Sequence, residues 1–145
     1  MSNTSTAMTR WHGGLMDGSG ETSLGSAIVE PMKVDWRTRA EGGEGRTTPE
    51  ELIAAAHSAC FSMALAKNLS DQGHTPDAIE TTAEVTFART ESGFRITTIS
   101  LDVTGNVPGI SPDDFAEATR SAKDGCPVSK ALSADITIEV SSALA

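Results

Sequence analysis

From Leu52 to Ala66 the chain reads LIAAAHSACFSMALA, an uninterrupted uncharged run. The signals around it define a helix. Thr48, Pro49 and Glu51 form a T-x-x-E capping box with proline at the first helical position, and Gly73 supplies the stop near Asp71. Apolar residues surround this helix on nearly every side, so it has no solvated face of its own. A domain of this size has few ways to cover such a helix. A sheet on one face and a second subunit's helix on the other is one, so the pattern predicts a homodimer. As a helix the uncharged run spans about 22 Å. That is short of the ~30 Å hydrocarbon slab of a bilayer, and it carries His57, Ser58 and Ser62, so no membrane span is expected.

Around that helix the pattern is mixed. Residues 1–8 are rich in Ser and Thr and are expected to form a disordered tail, with a single domain over 9–145. Short strands are predicted at Arg10–Leu15 and Thr22–Val29, and a third within Val29–Trp36 with Pro31 at an edge or bulge. Gly42, Gly43 and Gly45 mark the stretch from Arg39 to Thr48 as a loop. Ile79–Arg89 alternates cleanly, with Ile79, Thr81, Ala83, Val85 and Phe87 on one face. Phe94–Val107 is a second long strand whose apolar parity switches, which predicts a bulge near Thr97–Thr98. Ser111 and Pro112 open another helix ending near Gly125, Cys126 and Pro127 open a short one, and Ile136–Val140 alternates as a last strand. Strand meanders with inserted helices make the class α+β.

The net charge of −9 and the lack of a basic stripe argue against nucleic acid as a partner. The first residues, MSNTSTAMTR, lack the apolar core of a signal peptide, and a cytoplasmic location is expected.

In a reducing compartment the two cysteines are inert, metal-binding or catalytic. Free cysteine is usually a small buried hydrophobe, and Cys60 lies too far into its helix for the N-terminus to activate it. Cys126, at a helix start with Lys123 and Lys130 nearby, has better local grounds for a thiolate. His57 and Cys60 share the i, i+3 spacing of metal ligands, with Cys126 as a third candidate. The absence of a CxxC, and of ligand spacing at His12 and His74, weighs against zinc. His57 is otherwise read as a hydrogen-bonded core histidine.

The segments TTPEELIAAAHSACFSMALA, VPGI and CPVSKAL, with RWHGGLMDGSG and WRTRAEGGEG upstream, resemble the osmotically inducible protein C and organic hydroperoxide resistance family. The resemblance covers roughly residues 8 to 141, and Ala56-His57 before the first cysteine motif looks closer to the osmotically inducible branch. It implies an OsmC-like fold: an intertwined homodimer with two antiparallel sheets around central helices. It also implies a thiol peroxidase that acts preferentially on organic hydroperoxides, in oxidative or osmotic stress defence, and leaves use of hydrogen peroxide open. Cys60 would attack the peroxide and become a sulfenic acid, and Cys126 would resolve it as a disulfide. Arg39, with Arg37 as the fallback, would stabilise the Cys60 thiolate, and Glu50 would hold the guanidinium. No metal or cofactor is implied, only an external dithiol or a lipoylated-protein reductant. A redox-sensing or ligand-binding dimer using the same cysteines without rapid turnover is the alternative. Glu50 and Cys60 would lie about 15 Å apart on one continuous helix, which suggests a composite site drawing Arg39 and Glu50 from the second subunit.

Overall fold

The computed structural model describes residues 1–132 and 134–145. They form two compact units, Met1–Pro49 and Glu50–Ala145.

The first unit is a three-stranded antiparallel sheet of β1 (Ala7–His12), β2 (Ser19–Leu24) and β3 (Met32–Val34), in that order. β1 starts inside the segment predicted as a tail, and Ala7 and Met8 pair with Leu24 and Ser23. A short helix, α1 (Trp36–Glu41), follows where a loop was predicted from Arg39 onward. Asp35 caps it, accepting the Thr38 N–H at 2.7 Å, and also takes an ion pair from Arg46 at 2.7 Å. The hydrogen bond to the Thr38 N–H, more than the Arg46 and Arg37 charges, holds the Asp35 carboxyl below the ordinary range against some desolvation. The glycines take over only after Glu41, where Gly42 at φ 79° ends the helix.

The second unit opens with α2 (Pro49–Asp71), one continuous helix ended by Gly73 at φ 85°. Its length and hydropathy would suffice to cross a membrane, yet Phe61, Leu65 and Leu69 are completely buried in the protein core. β4 (Ala78–Thr90) and β5 (Gly93–Asn106) form a long antiparallel hairpin. The predicted bulge is present: Thr86 pairs with Thr98 and Phe87 with Ile96, so Thr97 is the extra residue. That one residue turns Ile99, Leu101 and Val103 inward, and all three are buried.

α3 (Pro112–Gly125) is capped by the Ser111 hydroxyl, which accepts the Asp114 N–H at 3.1 Å. α4 (Pro127–Leu132) begins one residue after α3 ends. β6 (Thr137–Leu144) then pairs with β5 in parallel, giving the order β4-β5-β6. The second sheet is therefore mixed rather than purely antiparallel. The cause is the helical crossover, which carries the chain back to the end of the sheet where β5 began.

The core of this unit joins the α2 stripe to Ile99, Leu101 and Val103 of β5 and Phe115, Ala118 and Ala122 of α3. Burial on every side of α2 is not reached within one chain. Its buried residues recur as His57, Phe61, Leu65 and Leu69, while Ala55, Ala56, Ala59 and Met63 on the opposite face are exposed, Met63 at 72%.

Candidate active site

Two helices bring the cysteines together. Cys60 sits midway along α2, and Cys126 is the residue at which α3 ends and α4 begins. Their sulfurs are 3.1 Å apart, both as free thiols. The structure holds Cys126 from both directions: its N–H donates to Ala122 O at 2.9 Å, and its carbonyl accepts Lys130 N–H at 3.0 Å. A helix end and a helix start thus fix one sulfur, and the rigid core helix fixes the other.

Cys126 is completely buried, whereas Cys60 keeps part of its surface open. Their acidities diverge. Burial raises the Cys60 thiol, and the neighbouring Cys126 thiol raises it further; only the Val128 N–H works the other way. Burial also opposes a thiolate at Cys126, but there it is outweighed. The Ser129 N–H, the Cys60 thiol, the Ser129 hydroxyl and the Val128 N–H all point to its sulfur and hold its pKa below the ordinary value. The groups that lower the Cys126 pKa are the first α4 amides, Ser129 and Cys60, not the lysines named from the sequence. Lys123 and Lys130 instead line a cavity of about 300 Å³ with Asp124, Ser129, Ile136 and Ile138.

Sequence reasoning missed Ser129 and named no partner for His57. His57 Nε2 lies 2.7 Å from Ser129 Oγ, and both residues are buried. Burial keeps His57 neutral by pulling its pKa down. With Nε2 used in this way, His57 is the hydrogen-bonded core histidine of the first reading, and no group of three metal-ligating residues is found among the described residues. The serine three residues after Cys126 was legible as part of CPVS, but its link to a histidine 72 positions away was not.

Of the other predicted residues, Glu50 is buried in the first turn of α2, ten residues before Cys60, at the ~15 Å expected of a continuous helix. Arg39 is half-buried on α1 in the first unit. Arg37, the fallback, is exposed and pairs with Glu41 one turn on at 3.3 Å.

The model of OsmC-like proteins matches residues 42–141. The chain belongs to the OsmC-like family. It is 45% identical to the peroxiredoxin OsmC of Escherichia coli strain K12 over 129 residues, which is 89% of this chain and 90% of that one. It is 34% identical to the organic hydroperoxide resistance protein OhrA of Bacillus subtilis over 106 residues, 70% of this chain and 72% of the relative. Among solved structures, the organic hydroperoxide resistance protein OhrB of B. subtilis superposes with a TM-score of 0.74 at 26% identity, covering 95% of this chain and 98% of that one. An organic hydroperoxide resistance protein from Elizabethkingia anophelis superposes at 0.78 over the full length of both chains at 22% identity, a likeness of fold. The OsmC-like fold and the leaning toward the OsmC branch therefore both hold.

Proposed function

We propose that this OsmC-like protein is a cysteine peroxidase that reduces organic hydroperoxides, and also hydrogen peroxide, to alcohols or water in the cytoplasm during oxidative or osmotic stress. The observation that supports this most is a pair of free thiols 3.1 Å apart, one partly open and one buried and acidic. The open sulfur, Cys60, meets the peroxide. Its thiolate forms an S–O bond with the distal oxygen, the O–O bond breaks, and the alkoxide takes a proton and leaves as alcohol. The buried Cys126 thiolate then attacks Cys60 Sγ. An S–S bond forms, the S–O bond breaks, and hydroxide leaves as water after gaining a proton. An external dithiol, of lipoyl type, reduces the disulfide by exchange, and no metal or bound cofactor takes part.

Cys60 needs a cation, because burial and Cys126 push its pKa up. Arg39 is assigned that role and Glu50 is assigned to hold the guanidinium, contributed by the second copy in a homodimer. The exposed apolar face of α2, Ala55, Ala56, Ala59 and Met63, is what such a dimer would cover.

The test is consumption of cumene hydroperoxide with a dithiol by wild type, Cys60→Ser and Cys126→Ser. Turnover should disappear in both variants. Cys126→Ser should still react once, leaving a sulfenic acid on Cys60 that dimedone traps. Turnover surviving in Cys60→Ser would overturn the assignment. Stoichiometric oxidation of wild type without turnover would instead make the protein a sensor.

A further inference from the structure

The thiol pair is only half of a longer buried chain of polar atoms. From Cys60 Sγ it runs 3.1 Å to Cys126 Sγ, on to the Ser129 hydroxyl, and then 2.7 Å to His57 Nε2. Cys126 and His57 are 0% exposed and Ser129 is 4% exposed, so water does not compete for these bonds. His57 and Cys60 lie on adjacent turns of α2, Cys126 immediately precedes α4 and Ser129 lies in its first turn. The two helices thus carry a chain of four side chains.

The direction of the bonds follows from the histidine. Its second nitrogen, Nδ1, is buried and has no hydrogen-bond partner among the described residues. A neutral imidazole carries one N–H. A buried N–H without an acceptor is rarer in proteins than an acceptor with an unfilled lone pair. The proton therefore belongs on Nε2, where the serine oxygen receives it, and the lone pair is left on Nδ1. A Ser129 oxygen that accepts from His57 has its own proton free for another acceptor, and the neighbouring acceptor is Cys126 Sγ.

We propose that His57 is a positioning residue for Cys126: its Nε2–H fixes the Ser129 hydroxyl so that the O–H points at the Cys126 sulfur and favours its thiolate. His57 never touches peroxide or the disulfide; it acts through the serine. The proposal rests on the peroxidase reading only for its consequence, which is faster closure of the Cys60–Cys126 disulfide. Among the described residues, the ionisable groups beside this chain are Cys60 on α2 and the Lys123, Asp124 and Lys130 that line a cavity with Ser129.

The test uses the full-length reduced protein. The ultraviolet absorbance of the thiolate is followed against pH for wild type, His57→Leu, His57→Gln and Ser129→Ala, with circular dichroism as the check on fold. At a pH below the first thiolate step, the thiolate fraction should fall roughly tenfold in Ser129→Ala and His57→Leu, the weight of one hydrogen bond to an ion. His57→Gln keeps an N–H donor and should stay near wild type, which a purely space-filling role would not require. An unchanged first step in Ser129→Ala or in folded His57→Leu overturns the proposal, and so does a His57→Gln shift as large as that of His57→Leu. If His57→Leu does not fold, Ser129→Ala and His57→Gln still decide. This readout needs no peroxide. A wild type that leaves hydroperoxides untouched would sink the functional reading and not this one. With turnover, disulfide closure after one equivalent of cumene hydroperoxide should slow in the same order of variants.

Discussion

Gly105 offers a way to move one sulfur away from the other without touching either. It lies near the end of β5, paired with Ile79 on one side and Leu144 on the other, and its carbonyl accepts the Ala145 N–H at 3.0 Å. Its backbone is held from both sides and cannot retreat. A Cβ built there would meet the Phe115 ring of α3 at 2.4 Å from Cζ and 2.6 Å from Cε2. Carbon atoms rest at about 3.5–4.0 Å, so the ring must yield by roughly 1.1–1.6 Å. Phe115 is 1% exposed within the packed core, so α3 is expected to yield with it. Gly105→Ala should therefore cost about 1–3 kcal/mol as an overpacked core. For a chain of this size that lowers the Tm by roughly 2–4 °C per kcal/mol.

The functional effect follows from where α3 ends. Forming the disulfide requires the sulfurs to close from 3.1 Å to about 2.05 Å, a movement of ~1 Å. A comparable outward displacement of the helix that ends at Cys126 about doubles that movement. Peroxide attack at Cys60 should be preserved and disulfide closure slowed. The assay is stopped-flow oxidation with one equivalent of cumene hydroperoxide, following dimedone-trappable sulfenic acid against disulfide. Phe115→Leu in the Gly105→Ala background should restore part of both stability and closure, giving a favourable coupling energy in a double-mutant cycle. A Gly105→Ala protein as stable as wild type, or a double variant whose losses simply add, would refute the reasoning.

Mixing Cys60→Ser with Arg39→Ala subunits should restore roughly one working site per mixed dimer, and no recovery of turnover would sink the composite site. Met63→Glu puts a carboxylate on the exposed apolar face of α2 and should shift the protein toward monomer in light scattering, with stability of the second unit little changed. His57 gives an acid limb to stability. Its pKa is depressed in the folded state, so between that value and the ordinary 6.5 the unfolded chain binds more protons and stability falls as pH drops. Denaturation midpoints against pH should show this slope in wild type and lose it in His57→Gln.

Much of this fold could be read directly. The bulge at Thr97 was visible because a period of two leaves a mark when it slips: Ile96 and Ile99 cannot share a face without an extra residue. The starts of α3 and α4 were visible because serine, proline and aspartate have specific work at a helix N-terminus. α1 was not, because six residues are too short to show a helical period, and the glycines after it dominate the composition. Its one local signal was Asp35 three residues before Thr38, an N-cap without an apolar run behind it. The pairing of β6 beside β5 depends on a crossover, which local pattern does not encode. The site divides in the same way. Both cysteines were legible as motifs, and the acidity of Cys126 followed from its place before Pro127. The His57–Ser129 bond depends on the packing of α4 against α2, and no spacing in the chain announces it.

The parallel pairing of β6 also has a consequence in time. Cys60 and Cys126 are separated by 66 positions, and the crossover through α3 and α4 must be in place before their sulfurs meet. At the usual 5–20 residues per second, a ribosome needs about 3–13 s to add that much chain. For that interval each nascent molecule carries Cys60 without the second thiol beside it. An oxidised Cys60 at this stage could only wait or proceed to the irreversible sulfinic acid. A chain made in the presence of peroxide is thus most exposed to irreversible oxidation before it is finished. Only once the chain has folded do burial and the neighbouring Cys126 thiol raise the Cys60 pKa and hold it protonated.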